Sequence, residues 1–186
     1  MLSFVGRKPF VREKILEAAF DLFAKRGYEA VSSREIAAEA GVGPASMYRH
    51  FASMEELGRE VYAIGLEPLL TEFAALEARA LKPGNAVREI LALLYRAYDT
   101  RPRALALLVF PPHDFTPEEI AADNPASARA CLERMLAIDG ELGSVVWGAL
   151  TGPLQDRYLG RRRGKMDVHI EAHGRLVARL LTGRNA

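Results

Sequence analysis

Apolar residues recur along most of this chain at the spacing of helix faces. After Pro9, which suits a first helical turn, Ile15, Ala19, Leu22 and Phe23 follow at i, i+4, i+7 and i+8, and the pattern stops near Gly27. Ser32 and Glu35 then spell S-x-x-E, the box in which a hydroxyl takes the third residue's N–H and the carboxylate reaches back to the cap, so a second helix is predicted to start there and end at Gly41. Pro44 opens a third, carrying Met47, Tyr48 and Phe51. Ser53 and Glu56 repeat the box and begin a long fourth helix through Leu57, Val61, Ile64 and Leu69 towards Phe73 and Leu76, with Pro68 expected to bend it.

Beyond "KPGN" the pattern predicts helices over about 85–100, 103–110, 126–138, 142–159 and 167–182, interrupted by the Pro-rich "PPHDFTPEE" and the basic "GRRRGK". The β-branched runs "LLVF" and "SVVW" fall inside longer helical patterns, so strands are not expected. The prediction is an all-α chain of about nine helices: a three-helix unit over 1–55 and a larger helical part over 56–186.

Composition narrows the class without naming a partner. At 186 residues, 49% hydrophobic and 26% charged, the chain fits a folded soluble protein, and a formal net charge of +1 means that any basic footprint must be local. The single cysteine, Cys131, allows no intrachain disulfide, reads as a small buried hydrophobe and suits a reducing cytosol. The opening "MLSFVGRKPF" lacks the apolar stretch of a secretory signal, and no run approaches the roughly 18 apolar residues of a spanning helix. The expected location is therefore cytoplasmic, away from membranes.

Two short helices joined by a turn containing glycine describe a helix-turn-helix, whose second helix enters a DNA major groove. Ile36, Ala37 and Ala40 are expected to face inward, Gly41 to permit the turn and Val42 to plug the corner, while Met47 and Phe51, four apart, fix the third helix to the core. Gly43, Pro44, Ala45, Ser46, Tyr48, Arg49 and His50 are left to groove and solvent. Hydroxyls and imidazole can donate to phosphate, and a guanidinium to phosphate or guanine. Ser32 and Ser53 place helix N-termini, with Ser33 and Arg34 beside the first, where phosphates bind.

At "IAAEAGVGPASMYRHFASMEEL" the chain resembles the tetracycline-repressor (TetR) family of bacterial transcription regulators, over about its first 57 residues. The resemblance implies DNA-backbone contacts from Ser32, Ser46, Tyr48 and His50 and groove contacts from Pro44, Ala45 and Arg49. It also implies a double-stranded operator, a homodimer and a small-molecule effector. Two cations common in the family are absent, Met54 standing for one and Gly43-Pro44 for a Ser-Lys pair, which predicts weaker phosphate attraction. Other readings stay open: Tyr48 as an aromatic at the core's edge, His50 as a helix-end cap, and Arg7, Lys8, Arg12 and Lys14 as a solvated face, the first two being favoured for a DNA role.

The remainder should then hold the effector and the dimer contact. "LGSVVWGALTGPLQDRYL" carries Val146, Ala149 and Pro153 on one side and Trp147, Leu150 and Leu154 on an adjoining one, a stripe broad for one buried face. Gly148 and Gly152 invite close helix approach. With Leu176, Val177 and Leu180 of the last helix, two copies would form a four-helix seam; burial of both faces within one subunit is the alternative. "WGALTG" resembles a C-terminal class of the family marked by Trp and a His-Gly pair, with Thr151 in place of the His.

Tyr62, Phe73, Tyr95, Tyr98, Phe110, His113, Phe115, Met135 and Trp147 are candidates to line an apolar effector pocket, against the alternative that each packs a core. His169 and His173 share a face but spell H-x-E-x-H, so interface histidines are favoured over a metal pair. "RRRGK", between the dimer helices and expected to lie far from the reading head, reads as a soluble loop or a second DNA contact. No enzyme motif, metal set or cofactor loop stands out. The expectation is a ligand-responsive repressor released from a palindromic operator; the alternative is a small-molecule or protein-binding module with weakened DNA affinity.

Overall fold

A computed structural model describes residues 10–112, 114–121 and 124–183, and every regular element among them is helical. The α-helices are α1 (Val11–Arg26), α2 (Ser33–Glu39), α3 (Pro44–His50), α4 (Met54–Glu77), α5 (Pro83–Thr100), α6 (Pro102–Val109), α7 (Ala128–Leu136), α8 (Gly140–Tyr158) and α9 (Ile170–Thr182). Single 3-10 turns, Glu118–Ile120 and Asp167–His169, lie before α7 and α9. The first of these turns falls in the stretch predicted as a Pro-rich loop, and the second replaces the predicted first turn of the last helix.

Local chemistry explains the helix ends. Ser32 accepts the Glu35 N–H at 3.3 Å and the Glu35 carboxylate takes the Ser32 N–H at 2.8 Å, so α2 begins with the reciprocal box. At α4 the box is altered: Ser53 accepts the Glu56 N–H at 3.0 Å, but Glu56 reaches past the cap to the Ala52 N–H. Prolines occupy the first turns of α3, α5 and α6, where their missing N–H removes no helical bond. Between α2 and α3 the backbone turns at Gly41, φ +66°, a left-handed value that a side chain would oppose, and the Val42 N–H closes the corner onto the Ala37 carbonyl at 2.9 Å.

α1, α2, α3 and the residue after α3 bury Ile15, Ala19, Ile36, Ala37, Met47 and Phe51. This small core runs without a break into that of the larger part, because α4 presents Leu57 and Val61 at its start and Leu66, Leu69 and Phe73 further on. Gly65 makes the close crossing possible: a Cβ there would stand 2.8 Å from the Phe20 ring and 2.9 Å from Leu107, so α4 meets α1 and α6 on bare backbone. The helix continues through Pro68, whose missing donor leaves the Ile64 carbonyl without its i+4 partner.

Helix α5, with Ile90, Leu91, Leu94 and Tyr95 fully enclosed, is the hub on which α4, α6, α7, α8 and α9 pack. Arg103 of α6 ion-pairs with Asp21 of α1, and the Tyr158 hydroxyl of α8 donates to the Ala24 carbonyl in α1's last turn. No helix among the described residues is long and apolar enough to cross a membrane.

Candidate nucleic-acid interface and effector clefts

The exposed face of the first three helices gathers most of the predicted contact residues. Met47 and Phe51 are buried and fix the rotation of α3 about its axis, leaving Pro44, Ala45, Tyr48, Arg49 and His50 outward. Tyr48, 55% exposed, donates its hydroxyl to Ser33 Oγ at 3.1 Å, joining the outer faces of α3 and α2. That exposure removes the reading of Tyr48 as an edge of the core. Ser32, Arg34 and Ser53 are exposed and Ser33 half-buried on the same flank.

Ser46 departs from its expectation. It is only 9% exposed, and its N–H bonds the Gly43 carbonyl at 2.8 Å. Arg12, a candidate for a free basic face, bonds Glu60 of α4 at 2.6 Å and lies over the Phe51 ring, 4.9 Å from its centre. Arg7 and Lys8 lie outside the described residues.

The α1–α2 corner is held electrostatically. Arg26 at the end of α1 donates to Glu35 at 2.7 Å, and Ser32 Oγ donates to the same carboxylate at 2.7 Å. These bonds, Ser32's first, hold the Glu35 carboxyl down to about 2, so it is ionised at any pH near neutrality.

The predicted aromatic pocket is not one pocket. Tyr62, Phe73, Tyr95, Tyr98 and Phe115 are buried as core, since aromatic side chains fill the interiors of several separate helix crossings. Tyr62 donates to the Phe110 carbonyl at 3.3 Å and meets Phe115 edge-on at 6.1 Å, while Tyr95 lies against His173 on the other side of α5. Met135 is half-buried against the core and His113 lies outside the described residues. Phe110 and Trp147 are half-buried and line different clefts.

The Trp147 cleft, about 330 Å³, opens between α6, α7 and α8 and is lined by Leu108, Val109, Ala128, Arg129, Thr151 and Gln155 among others. Thr151 turns its hydroxyl back to the Trp147 carbonyl at 2.9 Å, and Gln155 caps the end of α6 by donating to the Val109 carbonyl at 2.9 Å. Arg129 is matched by Glu133 at 2.9 Å and donates to Ser144 at 2.8 Å, so the cleft combines apolar walls with a neutralised cation. The Phe110 cleft, about 470 Å³, lies at the joint between α1 and the larger part.

The predicted dimer face is corrected in part. Val146 and Val177 are buried inside their own subunit, because α8 turns Val146, Leu150 and Leu154 inward and α9 turns Val177 the same way. His173 also faces inward, its Nδ1 2.5 Å from the Tyr95 hydroxyl and its ring stacked on His169 at 5.4 Å. Burial, then Arg162, then His169 lower its pKa. Ala149, Pro153 and His169 are half-buried, while Leu176 and Leu180 are exposed as expected.

Exposed apolar positions missed in the sequence join Leu176 and Leu180. Val168, 72% exposed, and Ala172 precede them at four-residue steps, and Val145 lies on α8 beside the open Gly148. The signal was there as a four-residue repeat, masked by the overlapping stripe through Val177. Among the described residues no three His, Cys, Asp or Glu side chains converge as a metal site would need.

Residues 15–61, which include this exposed face, match the family model of bacterial regulatory proteins, tetR family. A TetR-family regulator from Streptomyces coelicolor A3 is 26% identical over 95% of this chain and 99% of its own, with a TM-score of 0.51. The TetR-family regulator PfmR of Thermus thermophilus superposes at 0.63 with 23% identity over 89% and 97%. FadR of Bacillus subtilis, solved with stearoyl-CoA, superposes at 0.62 with 11% identity over 88% and 96%, a likeness of fold.

Proposed function

We propose that the chain is a member of the tetR family of bacterial regulatory proteins, whose model its residues 15–61 match, and that it is a ligand-responsive, DNA-binding transcriptional regulator: a cytoplasmic repressor reading a palindromic operator. In this reading residues 1–55 are the reading head and 56–186 the effector and dimer part. The observation that carries it is the pairing of two buried anchors, Met47 on α3 and Phe51 just after it, with two exposed donors on α3, Tyr48 and Arg49. A helix fixed on one side and hydrogen-bonding on the other is what a groove reader requires.

Tyr48, His50, Ser32 and Ser53 would take phosphates, Arg49 a base edge or phosphate, and Pro44 and Ala45 thymine methyl groups. The dimer face would be Val145 and Gly148 of α8 with Val168, Ala172, Leu176 and Leu180 of the α9 flank, self-complementary about a two-fold axis. The effector would enter the Trp147 cleft, whose size is at the lower end of ordinary small-molecule sites. FadR of Bacillus subtilis holds stearoyl-CoA on the same fold, which supports a mostly apolar effector.

Binding that favours a different spacing of the heads would lower operator affinity by its differential affinity for the two states, about 1–3 kcal/mol. Selection of the purified protein on randomised duplexes should return an inverted repeat with half-site centres about 34–36 Å apart or a multiple of that. Selection of unrelated or single half-sites would reject the reading.

A further inference from the structure

The densest run of cations in this protein is not in its reading head. Over residues 1–55 there are eight Lys and Arg against seven Asp and Glu, so the head is nearly neutral and offers a polyanion little net attraction. Over the ten residues Asp156–Lys165 there are five cations and one acid, a denser run than anywhere in the head. This run is the link from α8 to α9, and its shape is held.

The Arg161 and Arg162 N–H groups both bond the Asp156 carbonyl, at 2.9 and 3.2 Å, and Arg157 donates to the Gly164 carbonyl at 2.9 Å. Gly160 and Gly164 take left-handed φ values of +72° and +86°, and the buried Met166 closes the loop with its N–H on Asp99, 3.2 Å away. Arg161, Arg163 and Lys165 project from this frame into solvent, and the ion pair made from it is a loose one, Arg161 to Asp156 at 3.6 Å.

The structure also overturns the expectation that this loop is remote from the head. Tyr158, the last residue of α8, bonds the Ala24 carbonyl of α1, and Leu159 lines a cleft with Lys25, Arg26, Gly27 and Glu29. Arg26 in turn holds Glu35, and Glu35 holds Ser32, the residue placed on phosphate by the reading above. The basic loop therefore leaves α8 one cleft away from the corner that presents the N-terminus of α2.

We propose that Arg161, Arg163 and Lys165 form an auxiliary contact to the phosphate backbone of the operator, outside the groove occupied by α3. Their partner is duplex DNA read for charge and not for sequence, and they supply attraction that the nearly neutral head lacks. The inference rests on the operator-binding reading, and its test separates the two.

The experiment measures affinity for the selected inverted repeat between 50 and 200 mM salt for the wild type, for Arg161→Gln/Arg163→Gln/Lys165→Gln, for Arg161→Lys/Arg163→Lys, and for Lys82→Gln. Lys82 is a cation beyond the far end of α4 and controls for the loss of a positive charge away from the loop. The wild type binding its repeat at all tests the operator reading. The triple variant should then lower the slope of log K against log [salt] by about 0.9 for each phosphate it no longer neutralises, about 3 per loop, with the same base preferences; the double Lys variant should keep the wild-type slope and Lys82→Gln should leave it unchanged. A triple variant with the wild-type slope, or one matched by Lys82→Gln, overturns the proposal. So does failure of the double Lys variant to keep the slope.

Discussion

Tyr48 and Met47 are neighbours in sequence and opposites in use. Met47 is enclosed and Tyr48 open, so the two should separate cleanly under substitution. Met47→Ala should cost about 2–5 kcal/mol of stability, read as a lower denaturant midpoint, because a buried side chain leaves a void that rigid neighbours fill poorly. Arg49→Gln with Tyr48→Phe should leave that midpoint within about 0.5 kcal/mol and weaken DNA binding instead.

At Gly65, where a methyl would meet Phe20 and Leu107 at under 3 Å, alanine should destabilise by about 1–3 kcal/mol despite its better helix propensity. The close packing at Gly65 was invisible in the sequence, since no pattern says which ring will lie over a glycine. Ser46 shows a related gap. A seven-residue helix has too few apolar residues to define its inner face, and only the packed structure shows that Ser46 goes in with Met47.

Single helices were legible to within a turn because their signals are local: Ser32 with Glu35, Ser53, and prolines at first turns each act over three or four residues. Which side of a helix meets which neighbour is a property of the assembly. α8 has apolar residues nearly all round, so the choice of Val146 as inward and Val145 as outward could not be read from it. The aromatics failed as a pocket for the same reason: their spacing names helix faces but not the crossings those faces enter.

Capping at α2 has a measurable consequence. Ser32→Ala should cost about 1 kcal/mol at neutral pH. Because the Glu35 carboxyl is lowered to about 2 from an ordinary 4.5, its share of that stability is complete above 4.5 and lost as pH falls towards 2, so the difference between wild type and variant should narrow in acid to what the Ser32 cap on the Glu35 N–H contributes.

The docking of α9 on α5 titrates in a different window. His173 is lowered from its ordinary 6.5, so the unfolded chain binds the proton first as pH drops, and the folded state loses stability below 6.5 until the lower folded value is passed. His173→Gln should remove this dependence, checked by thermal unfolding across that range.

In the whole molecule, the division of labour is between a continuous core and two open surfaces. One surface, on α9, is an apolar stripe that Leu176→Glu and Leu180→Glu should convert from dimer to folded monomer by sedimentation, whereas Val177→Glu, a buried position, should unfold the subunit. The other is the outer flank of α2 and α3, and its spacing across the two-fold axis is set by the dimer.

That spacing gives the most direct test. Affinity should be measured on the selected inverted repeat and on versions with about five and about ten base pairs inserted between its halves. Half a turn of added DNA puts the second half-site on the wrong side of the duplex, so affinity should fall to that of a single half-site, and a full turn moves that half-site out of reach of a rigid dimer and should not restore it. Binding indifferent to all these insertions would contradict a dimer reading DNA through paired α3 helices.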